Sequence, residues 1–252
     1  EQILSSLPQA IQTMLDSADC GPATISMSQD VQGETFDYPE IFFEEKVHEI
    51  RRIHPDPNQI KLAADKNKNS KQPIIISGGG VLYSEAEAEL SAFAKKHNIP
   101  VTATVMGIGC MKHDDPYYIS AIGCLGEGSS NSLSKDTDLA IAIGTKLADF
   151  TTGSWTNFQN PNFGLVSINT SRFDTAKHRA TPVVSDAKVG LTQLSEQLGD
   201  WKAPNNWYDR AVEERKKWDS YVQKESGPTN QLVPSYAPVS YTHLTLPTNR
   251  EV

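Results

Sequence analysis

The sequence lacks long apolar runs and any basic stretch, and these absences exclude two classes of protein. Its apolar runs are only a few residues long, whereas a membrane-spanning helix needs roughly 20 consecutive apolar residues. Lys and Arg number 23 against 31 Asp and Glu, so the formal net charge is -8. Because nucleic-acid binding needs clustered positive charge, the sequence predicts neither a nucleic-acid partner nor a membrane partner.

Cysteine is also scarce, and its spacing argues against a disulfide scaffold. Cys20, Cys110 and Cys124 form no C-x-x-C pair, and an odd number cannot pair completely. We therefore expect reduced thiols in a cytoplasmic protein. Each thiol is expected to fill space in a core rather than to act as a nucleophile.

Apolar strand-like runs alternate with helical patterns from residue 73 onward. The runs are PIIIS (73–77), IPVTATV (99–105), DLAIAIG (138–144), FGLVSIN (163–169) and TPVVSD (181–186). Because they are apolar without polar alternation, they predict strands that are covered on both faces, as in a parallel sheet. The sequence thus predicts an α/β fold, a three-layer parallel-sheet domain over residues 58–200.

The segment before this domain has too few elements to fold by itself. Residues 1–32 contain one amphipathic helical pattern, between Ile3 and Leu15, followed by GPATISMSQDV, which is predicted to form a turn and a short strand. One helix and one strand cannot bury their faces alone. We therefore interpret the segment as the last α/β unit of a truncated domain.

Two connecting segments flank the α/β domain. Residues 33–57 combine prolines with mixed charge and no clean period, which is typical of an interdomain linker. Its aromatic side chains are predicted to anchor it to a neighbouring surface: Phe36, Tyr38, Phe42 and Phe43. Residues 201–237 begin with a charged amphipathic helix in which Trp207 and Trp218 are available for packing against a domain.

The first candidate for a ligand site is the glycine turn Gly78, Gly79 and Gly80, between the first strand and its helix. A turn of this kind presents unpaired N–H groups at a helix N-terminus and can hold a phosphate. The dinucleotide fingerprint G-x-G-x-x-G is incomplete, because Tyr83 occupies the third glycine position and no acidic residue ends the second strand. The side chain of Tyr83 is expected to obstruct the close approach of helix to strand.

The helix after this turn is predicted to begin near Ser84 and to disfavour an anion. Ser84 and Glu87 have the spacing of a capping box, and Glu85 and Glu89 add negative charge to the same helix end. A phosphate would be repelled there. We therefore interpret the three glycines as a tight turn and keep a nucleotide site as the open alternative.

A basic cluster after the FGLVSIN run is a second candidate. Its members are Arg172, Lys177, His178 and Arg179. Ligands of an open α/β sheet bind beyond the carboxyl ends of the strands, so an anion contact at Arg172 is the alternative to a solvated surface. Loops 123–131 and 151–159 also follow strand ends and are candidates for lining the same crevice.

Neither a catalytic residue nor a metal ligand is predicted in this sequence. His113, Asp114 and Asp115 are adjacent in the chain, and adjacent residues seldom converge on one ion, so they are interpreted as a polar loop. No spacing of serine, histidine and aspartate indicates a nucleophile site either.

The order of three motifs resembles a known family. Through PIIISGGGV, IPVTATVMGIG and DLAIAIGTKLAD, residues 57–200 resemble the central domain of thiamine-diphosphate-dependent enzymes of the acetolactate synthase and pyruvate oxidase type. Within that family, SQDVQGETFDYPEIFF and SWTNFQNPNF resemble the subgroup that hydrolyses a trihydroxycyclohexanedione in inositol catabolism. TNQLVPSYA resembles the start of the next domain of that subgroup.

The resemblance implies a Rossmann-like scaffold inside a three-domain enzyme that assembles as a homo-oligomer, a dimer or a tetramer. In the family, the preceding domain binds the thiamine pyrimidine and carries an activating glutamate, and the following domain holds the diphosphate and Mg2+. Glu34 does not match that glutamate, because residues 1–32 resemble only the end of the preceding domain. Gly199 and Asp200 are not followed by the rest of the diphosphate motif. The sequence is therefore predicted to be a fragment that is inactive alone.

The chemistry that the resemblance implies is attack of the thiamine ylide on a carbonyl of a cyclic 1,2-dione, C–C cleavage, and hydrolysis to an open-chain deoxy-sugar acid. Some family members bind FAD or ADP on the central domain, but the incomplete glycine fingerprint makes FAD unexpected here. Two alternatives stay open: an enzyme like acetolactate synthase or a decarboxylase with FAD on this domain, and a free-standing nucleotide-binding module. Residues 238–252, PVSYTHLTLPTNREV, depart from the family and are predicted to be a non-native tail.

Overall fold

The computed structural model describes residues 2–226, and a parallel β-sheet of six strands forms its centre. The strands are β1 Pro73–Ser77, β2 Val101–Ala103, β3 Tyr118–Ala121, β4 Leu139–Ile143, β5 Gly164–Asn169 and β6 Thr181–Val184. Their order is β3-β2-β1-β4-β5-β6, and every neighbouring pair is parallel. The predicted α/β parallel-sheet fold is confirmed, although β3 was not predicted because its four residues lie within a polar segment.

Helices cover both faces of this sheet. The α-helices of the described residues are α1 Ile3–Leu15, α2 Pro57–Asn69, α3 Gly79–Tyr83, α4 Glu87–His97, α5 Gly128–Asp136, α6 Asp149–Thr152, α7 Arg172–Thr175, α8 Ala187–Leu198 and α9 Asn205–Glu225. Helices α2, α4 and α8 cover one face, and α5 and α9 cover the other. The short helices α3, α6 and α7 lie in segments that follow β1, β4 and β5.

Alternation along the strands divides the core into two layers. Ile75 and Ile141 belong to the layer formed with α2, α4 and α8. Ile74, Ile76 and Ala140 belong to the layer formed with α5 and α9. Successive side chains of a strand point to opposite faces, so an entirely apolar strand supplies both layers. This explains why PIIIS and LAIAI are buried along their whole length.

The segment before α2 contributes little to this core. No residue of α1 is buried, and residues 16–30 contain no strand, so the prediction of a strand within GPATISMSQDV is wrong. A strand needs a hydrogen-bonded neighbour, and the sheet of the described residues offers none to this segment. The assignment of residues 1–32 to the end of a preceding domain stays a prediction.

The aromatic residues of the connector 33–57 contact one another. The ring centroids of Phe36 and Tyr38 are 5.0 Å apart, and those of Phe42 and Phe43 are 5.4 Å apart. Phe43 nevertheless stays 71% exposed. Their predicted packing against a neighbouring surface therefore stays a prediction.

Helix α9 packs on the α/β domain itself. Trp207 is 2% exposed, and its Nε1 donates a hydrogen bond to the carbonyl oxygen of Pro73 at 2.8 Å. Arg215 donates hydrogen bonds to the carbonyl oxygens of Asp115 and Tyr118. The helix is thus part of the second helical layer. The TNQLVPSYA segment and the predicted non-native tail 238–252 lie outside the described residues.

Candidate ligand site at the carboxyl edge of the sheet

The strand order reverses between β1 and β4, which are neighbours in the sheet although β2 and β3 separate them in the chain. In a doubly wound sheet, such a reversal opens a crevice at the carboxyl ends of the strands, where ligands bind. We call this side the carboxyl edge. The predicted site residues Gly78, Gly79, Gly80 and Arg172 all lie in segments that follow a strand at this edge.

The N–H groups of the glycine turn are largely used by the neighbouring backbone. Gly78 N donates a hydrogen bond to the carbonyl oxygen of Ile143 at 2.8 Å. Gly80 N donates one to the carbonyl oxygen of Gly144 at 2.9 Å. These donors bind the end of β4 rather than point into open space, so the turn offers an incoming phosphate fewer donors than a phosphate-binding loop does.

The glycines also allow two strand ends to touch. A Cβ on Gly80 would lie 2.5 Å from the Cα of Gly144, and a Cβ on Gly78 would overlap the Gly144 carbonyl oxygen. Gly144 itself has φ = 59°, which favours glycine. Backbone packing thus explains the absence of side chains at Gly78 and Gly80. Ligand binding by Gly78, Gly79, Gly80 and Arg172 stays a prediction.

Two predictions about this turn and the helix after it are wrong. Tyr83 is 84% exposed, so its side chain points away from the sheet and does not obstruct the approach of helix to strand. The capping box is not formed either, because Ser84 follows the end of α3 and its Oγ accepts a hydrogen bond from Ala187 N. The helical conformation is interrupted between α3 and α4, where Glu85 has φ = 50°. Helix α4 begins at Glu87 without a side-chain cap.

Basic side chains compensate the carboxylates near this break. Arg52 donates hydrogen bonds to the carbonyl oxygen of Ser84 at 2.6 Å and to Asp186 Oδ2 at 3.0 Å. Lys188 Nζ lies 3.2 Å from Glu89 Oε1. The predicted repulsion of an anion by Glu89 is therefore reduced. Sequence reasoning missed Arg52, since its partners Ser84 and Asp186 lie far along the chain.

The basic cluster lies beyond β5 and meets the segment that follows β4. Arg172 is exposed at the start of α7, whereas Lys177 pairs with Asp174 at 2.5 Å. The rings of His178 and Trp155 are 4.5 Å apart, so loop 151–159 and the basic cluster do lie together at the carboxyl edge. His178 has φ = 58°, an uncommon backbone conformation for a residue with a side chain.

His113, Asp114 and Asp115 lie in a polar loop before β3. Asp115 Oδ2 accepts a hydrogen bond from Ser91 Oγ at 2.9 Å, and its Oδ1 accepts one from Tyr117 N at 2.9 Å. The carboxylate therefore links the start of β3 to α4. Between residues 2 and 226, no group of three or more His, Cys, Asp or Glu side chains is placed to hold a metal ion.

Two titratable side chains near the edge have shifted pKa values. Burial raises the pKa of the Glu127 carboxyl, while the charge of His113 opposes the shift. Burial also raises the pKa of the Cys110 thiol, whose Sγ lies 2.8 Å from Ser77 Oγ. Sequence reasoning missed Glu127 because nothing in the pattern shows that this loop residue becomes half-buried. Cys110 fills space as expected, but Cys20 and Cys124 are exposed, so that expectation is wrong for them.

Two shallow cavities lie at the opposite, amino-terminal edge of the sheet. Their volumes are about 430 and 650 Å3, and both are lined by Lys71, Asp138 and Asn162. The Asp138 carboxylate is already used, because it accepts hydrogen bonds from Ser70 Oγ and from the backbone N–H groups of Lys71 and Gln72. These contacts join the starts of β1 and β4, so we assign Asp138 a structural role.

Residues 60–194 match the family described as thiamine pyrophosphate enzyme, central domain. The chain therefore belongs to the thiamine pyrophosphate enzyme family, through its central domain. It is 38% identical over 224 residues to 3D-(3,5/4)-trihydroxycyclohexane-1,2-dione hydrolase of Clostridium perfringens (strain 13 / Type A). It is 39% identical over 224 residues to the protein of that name from Clostridium botulinum (strain Alaska E43 / Type E3), and 37% identical over 225 residues to that from Geobacillus thermodenitrificans (strain NG80-2).

These alignments cover most of this chain but a minor part of each relative. They include 89% of this chain, 35% of the two clostridial proteins and 34% of the Geobacillus protein. The chain thus spans about a third of the length of the relatives it matches. Separately, none of the helices between residues 2 and 226 combines the length and apolarity needed to cross a lipid bilayer.

The family implies thiamine diphosphate, but the described residues do not fit it. The glycine turn is closed by the end of β4, as the Gly78 and Gly80 hydrogen bonds show. The same part of the chain contains no cluster of carboxylates, histidines or thiols for a divalent ion beside a diphosphate. No step of a thiamine-dependent reaction can be assigned to this part of the chain.

Proposed function

We propose that this chain is the central part of a thiamine-diphosphate-dependent hydrolase that cleaves a C–C bond of a cyclic 1,2-dione in myo-inositol catabolism, and that it is inactive by itself. The observation that carries the proposal is the identity of 37–39% to hydrolases named for trihydroxycyclohexane-1,2-dione, over 89% of this chain. The full-length enzyme is proposed to be a cytoplasmic homo-oligomer that uses Mg2+ with its cofactor.

The small part of each relative that this chain matches supports the proposal that the chain acts as a structural scaffold. This chain corresponds to about a third of each relative, and its described residues offer neither a diphosphate cradle nor a metal cluster. The cofactor would supply the electron sink for C–C cleavage. We therefore propose that the residues which hold it belong to other domains, and that this chain contributes a rigid α/β support.

A chimera tests this proposal directly. The aligned 224-residue portion of the Clostridium perfringens relative is replaced by the matching portion of this chain, and hydrolysis of trihydroxycyclohexane-1,2-dione is measured for the chimera, the relative and the isolated chain. We expect activity in the chimera and none in the isolated chain. A well-folded chimera that binds thiamine diphosphate but leaves the dione intact would contradict the proposed substrate.

The alternative with FAD on this domain is not favoured, because Gly78 and Gly80 donate their N–H groups to the end of β4. Calorimetry of the isolated chain with FAD, ADP, and thiamine diphosphate plus Mg2+ distinguishes the cases. We expect no binding of any of them. Micromolar binding of FAD or ADP would favour the alternative enzyme or a free-standing nucleotide-binding module, and would contradict the scaffold role.

A further inference from the structure

Large apolar side chains are exposed together at the carboxyl edge. They belong to segments that follow β1, β2, β3 and β4, and we call them the carboxyl-edge surface. Its residues are Tyr83, Val105, Met106, Ile108, Leu125 and Phe150. Single exposed apolar residues are normal on a soluble protein, whereas several large apolar side chains exposed at one edge are typical of a surface that another molecule covers.

Two sets of contacts bring members of this surface together. A Cβ on Gly79 would lie 3.5 Å from the Cβ of Met106 and 3.6 Å from the ring of Tyr83. Cys124 N donates a hydrogen bond to the carbonyl oxygen of Phe150 at 2.7 Å, which brings the residue before Leu125 to α6. The segments with Met106 and Leu125 follow β2 and β3, which are neighbours in the sheet, so both leave it at the same edge.

The exposure of these side chains is large and their chemistry is that of an interface core. Met106 and Leu125 are each 67% exposed, and Phe150 is 66% exposed. Aromatic residues and methionine are enriched in the buried centres of protein interfaces, where charge is depleted. In the glycine turn beside them, the N–H groups of Gly78 and Gly80 already donate to backbone carbonyl oxygens. The chemistry therefore fits a protein surface rather than a small anionic ligand.

We propose that the carboxyl-edge surface packs against the part of the full-length enzyme that holds thiamine diphosphate, an inference that rests on the proposed function. The matched family is a central domain. The alignment covers only 35% of the Clostridium perfringens relative, so about two thirds of that protein has no counterpart here. That missing length provides the occupant, and covering the edge would place this scaffold directly against the cofactor-holding domains.

Thiol labelling tests whether the surface is covered. Cys124 is exposed and lies within the surface, next to Leu125. Its rate of reaction with a maleimide is measured in the isolated chain and in the chimera described above, both with Cys20→Ser. We expect Cys124 to react at least about tenfold more slowly in the chimera, because interface cores pack as tightly as protein interiors. Equal rates in the two proteins would overturn the proposal.

Two controls are built into this experiment. A Leu62→Cys variant places a thiol on the outer side of α2, where Leu62 is 56% exposed, and it should react at the same rate in both proteins. If the Leu62→Cys thiol were slowed in the chimera as much as Cys124, the slowing would reflect general crowding. That result would overturn the proposal that the carboxyl-edge surface is the part that is covered. Cys110 is buried, so its reaction reports unfolding.

If Cys110 reacts in the chimera, the chimera is unfolded, and the surface is tested instead by amide hydrogen exchange of the unaltered Clostridium perfringens relative. We expect slow exchange in the segments aligned with residues 105–108 and 124–125, and fast exchange there would overturn the proposal.

Sedimentation of the isolated chain tests whether a second copy of the chain is the occupant. We expect a monomer; a dimer that Met106→Lys with Phe150→Lys separates would overturn the proposal.

The outcome of this test is distinct from that of the proposed function. A chimera that protects Cys124 but does not hydrolyse the dione would retain the docking surface and refute the substrate. A chimera that hydrolyses the dione with Cys124 fully reactive would retain the substrate and refute the docking surface.

Discussion

At the scale of single residues, the close packing of backbone explains the glycine turn better than ligand binding does. Gly80 and its neighbour Gly79 are both in the first turn of α3, yet their surroundings differ. A Cβ on Gly80 meets the Cα of Gly144 at 2.5 Å, whereas the nearest atom to a Cβ on Gly79 is at 3.2 Å. Substitutions at the two positions therefore test whether glycine is needed because the backbone packs closely or because the turn as a whole requires glycine.

The variant Gly80→Ala should destabilise the fold, because its methyl group meets backbone that cannot move without disturbing β4. We expect a loss of about 2–3 kcal/mol in the free energy of unfolding, measured by urea titration. The matched control Gly79→Ala should change it by less than about 1 kcal/mol, since its Cβ has more room. Equal stabilities of the two variants would contradict the packing explanation.

His97 gives the fold a dependence on pH. The side chain is fully buried, with Nδ1 2.7 Å from the carbonyl oxygen of Trp201 and Nε2 2.9 Å from Ser195 Oγ. A carbonyl oxygen only accepts, so Nδ1 donates, and Nε2 of the neutral ring accepts from the Ser195 hydroxyl. Burial lowers the pKa of His97 below 6.5. The unfolded chain then binds a proton more readily, and stability falls as pH drops from 6.5 towards the folded pKa.

The variant His97→Gln should flatten this profile even if it lowers stability at every pH. Urea unfolding at several values between about pH 8 and about pH 5 measures the slope. His48→Gln, at an exposed position of the connector, is the control and should keep the slope of the unchanged chain. A His97→Gln profile as steep as that of the unchanged chain would show that His97 is not its cause.

At the scale of elements, α9 shows how a few side chains can fix a long polar helix on the domain. Of its 21 residues, 10 are charged, and within α9 only Trp207 and Ala211 are buried. Trp207 belongs to the core layer that α5 and α9 form with the sheet, and it also satisfies the carbonyl oxygen of Pro73 at the start of β1. At Trp207, apolar burial and a directed hydrogen bond thus act together, beside the hydrogen bonds of Arg215, to hold α9 on the domain.

Two substitutions at Trp207 separate these contributions. Trp207→Ala removes the ring and should cost about 3–5 kcal/mol of the free energy of unfolding. Trp207→Phe keeps an aromatic ring but leaves the Pro73 carbonyl without its donor, so we expect a loss of about 1–3 kcal/mol. Urea unfolding followed by circular dichroism measures both, and a Trp207→Phe variant as damaged as Trp207→Ala would show that the hydrogen bond dominates.

At the scale of the whole molecule, the described chain has a well-buried α/β part and an exposed leading part. Between residues 57 and 211 every strand and every helix of eight or more residues contributes buried residues, whereas α1 contributes none. Nearly all residues of the connector are exposed, and Lys46 and Arg51 offer cleavage sites there. Local stability follows burial, so the connector is expected to open first.

Limited proteolysis with trypsin should therefore cut first after Lys46 or Arg51. Mass spectrometry identifies the product, and thermal unfolding measures its stability. The product that begins after the cut should keep its melting temperature within about 2 °C, because it retains both helical layers. A first cut inside residues 58–200, or a large loss of stability, would contradict the predicted boundary between linker and central domain.

The sequence by itself determined the fold class and the family. PIIIS and DLAIAIG are apolar without alternation, and this local pattern is sufficient to predict strands buried on both faces of a parallel sheet. It did not reveal β3, the break at Glu85 or the exposure of Tyr83, because these depend on how segments meet. Arg52 and Asp186, which are 134 positions apart in the chain, illustrate this. Only the tertiary structure decided that Gly144 closes the glycine turn and that apolar residues gather at the carboxyl edge, since both follow from the parallel order of strands that are distant in sequence.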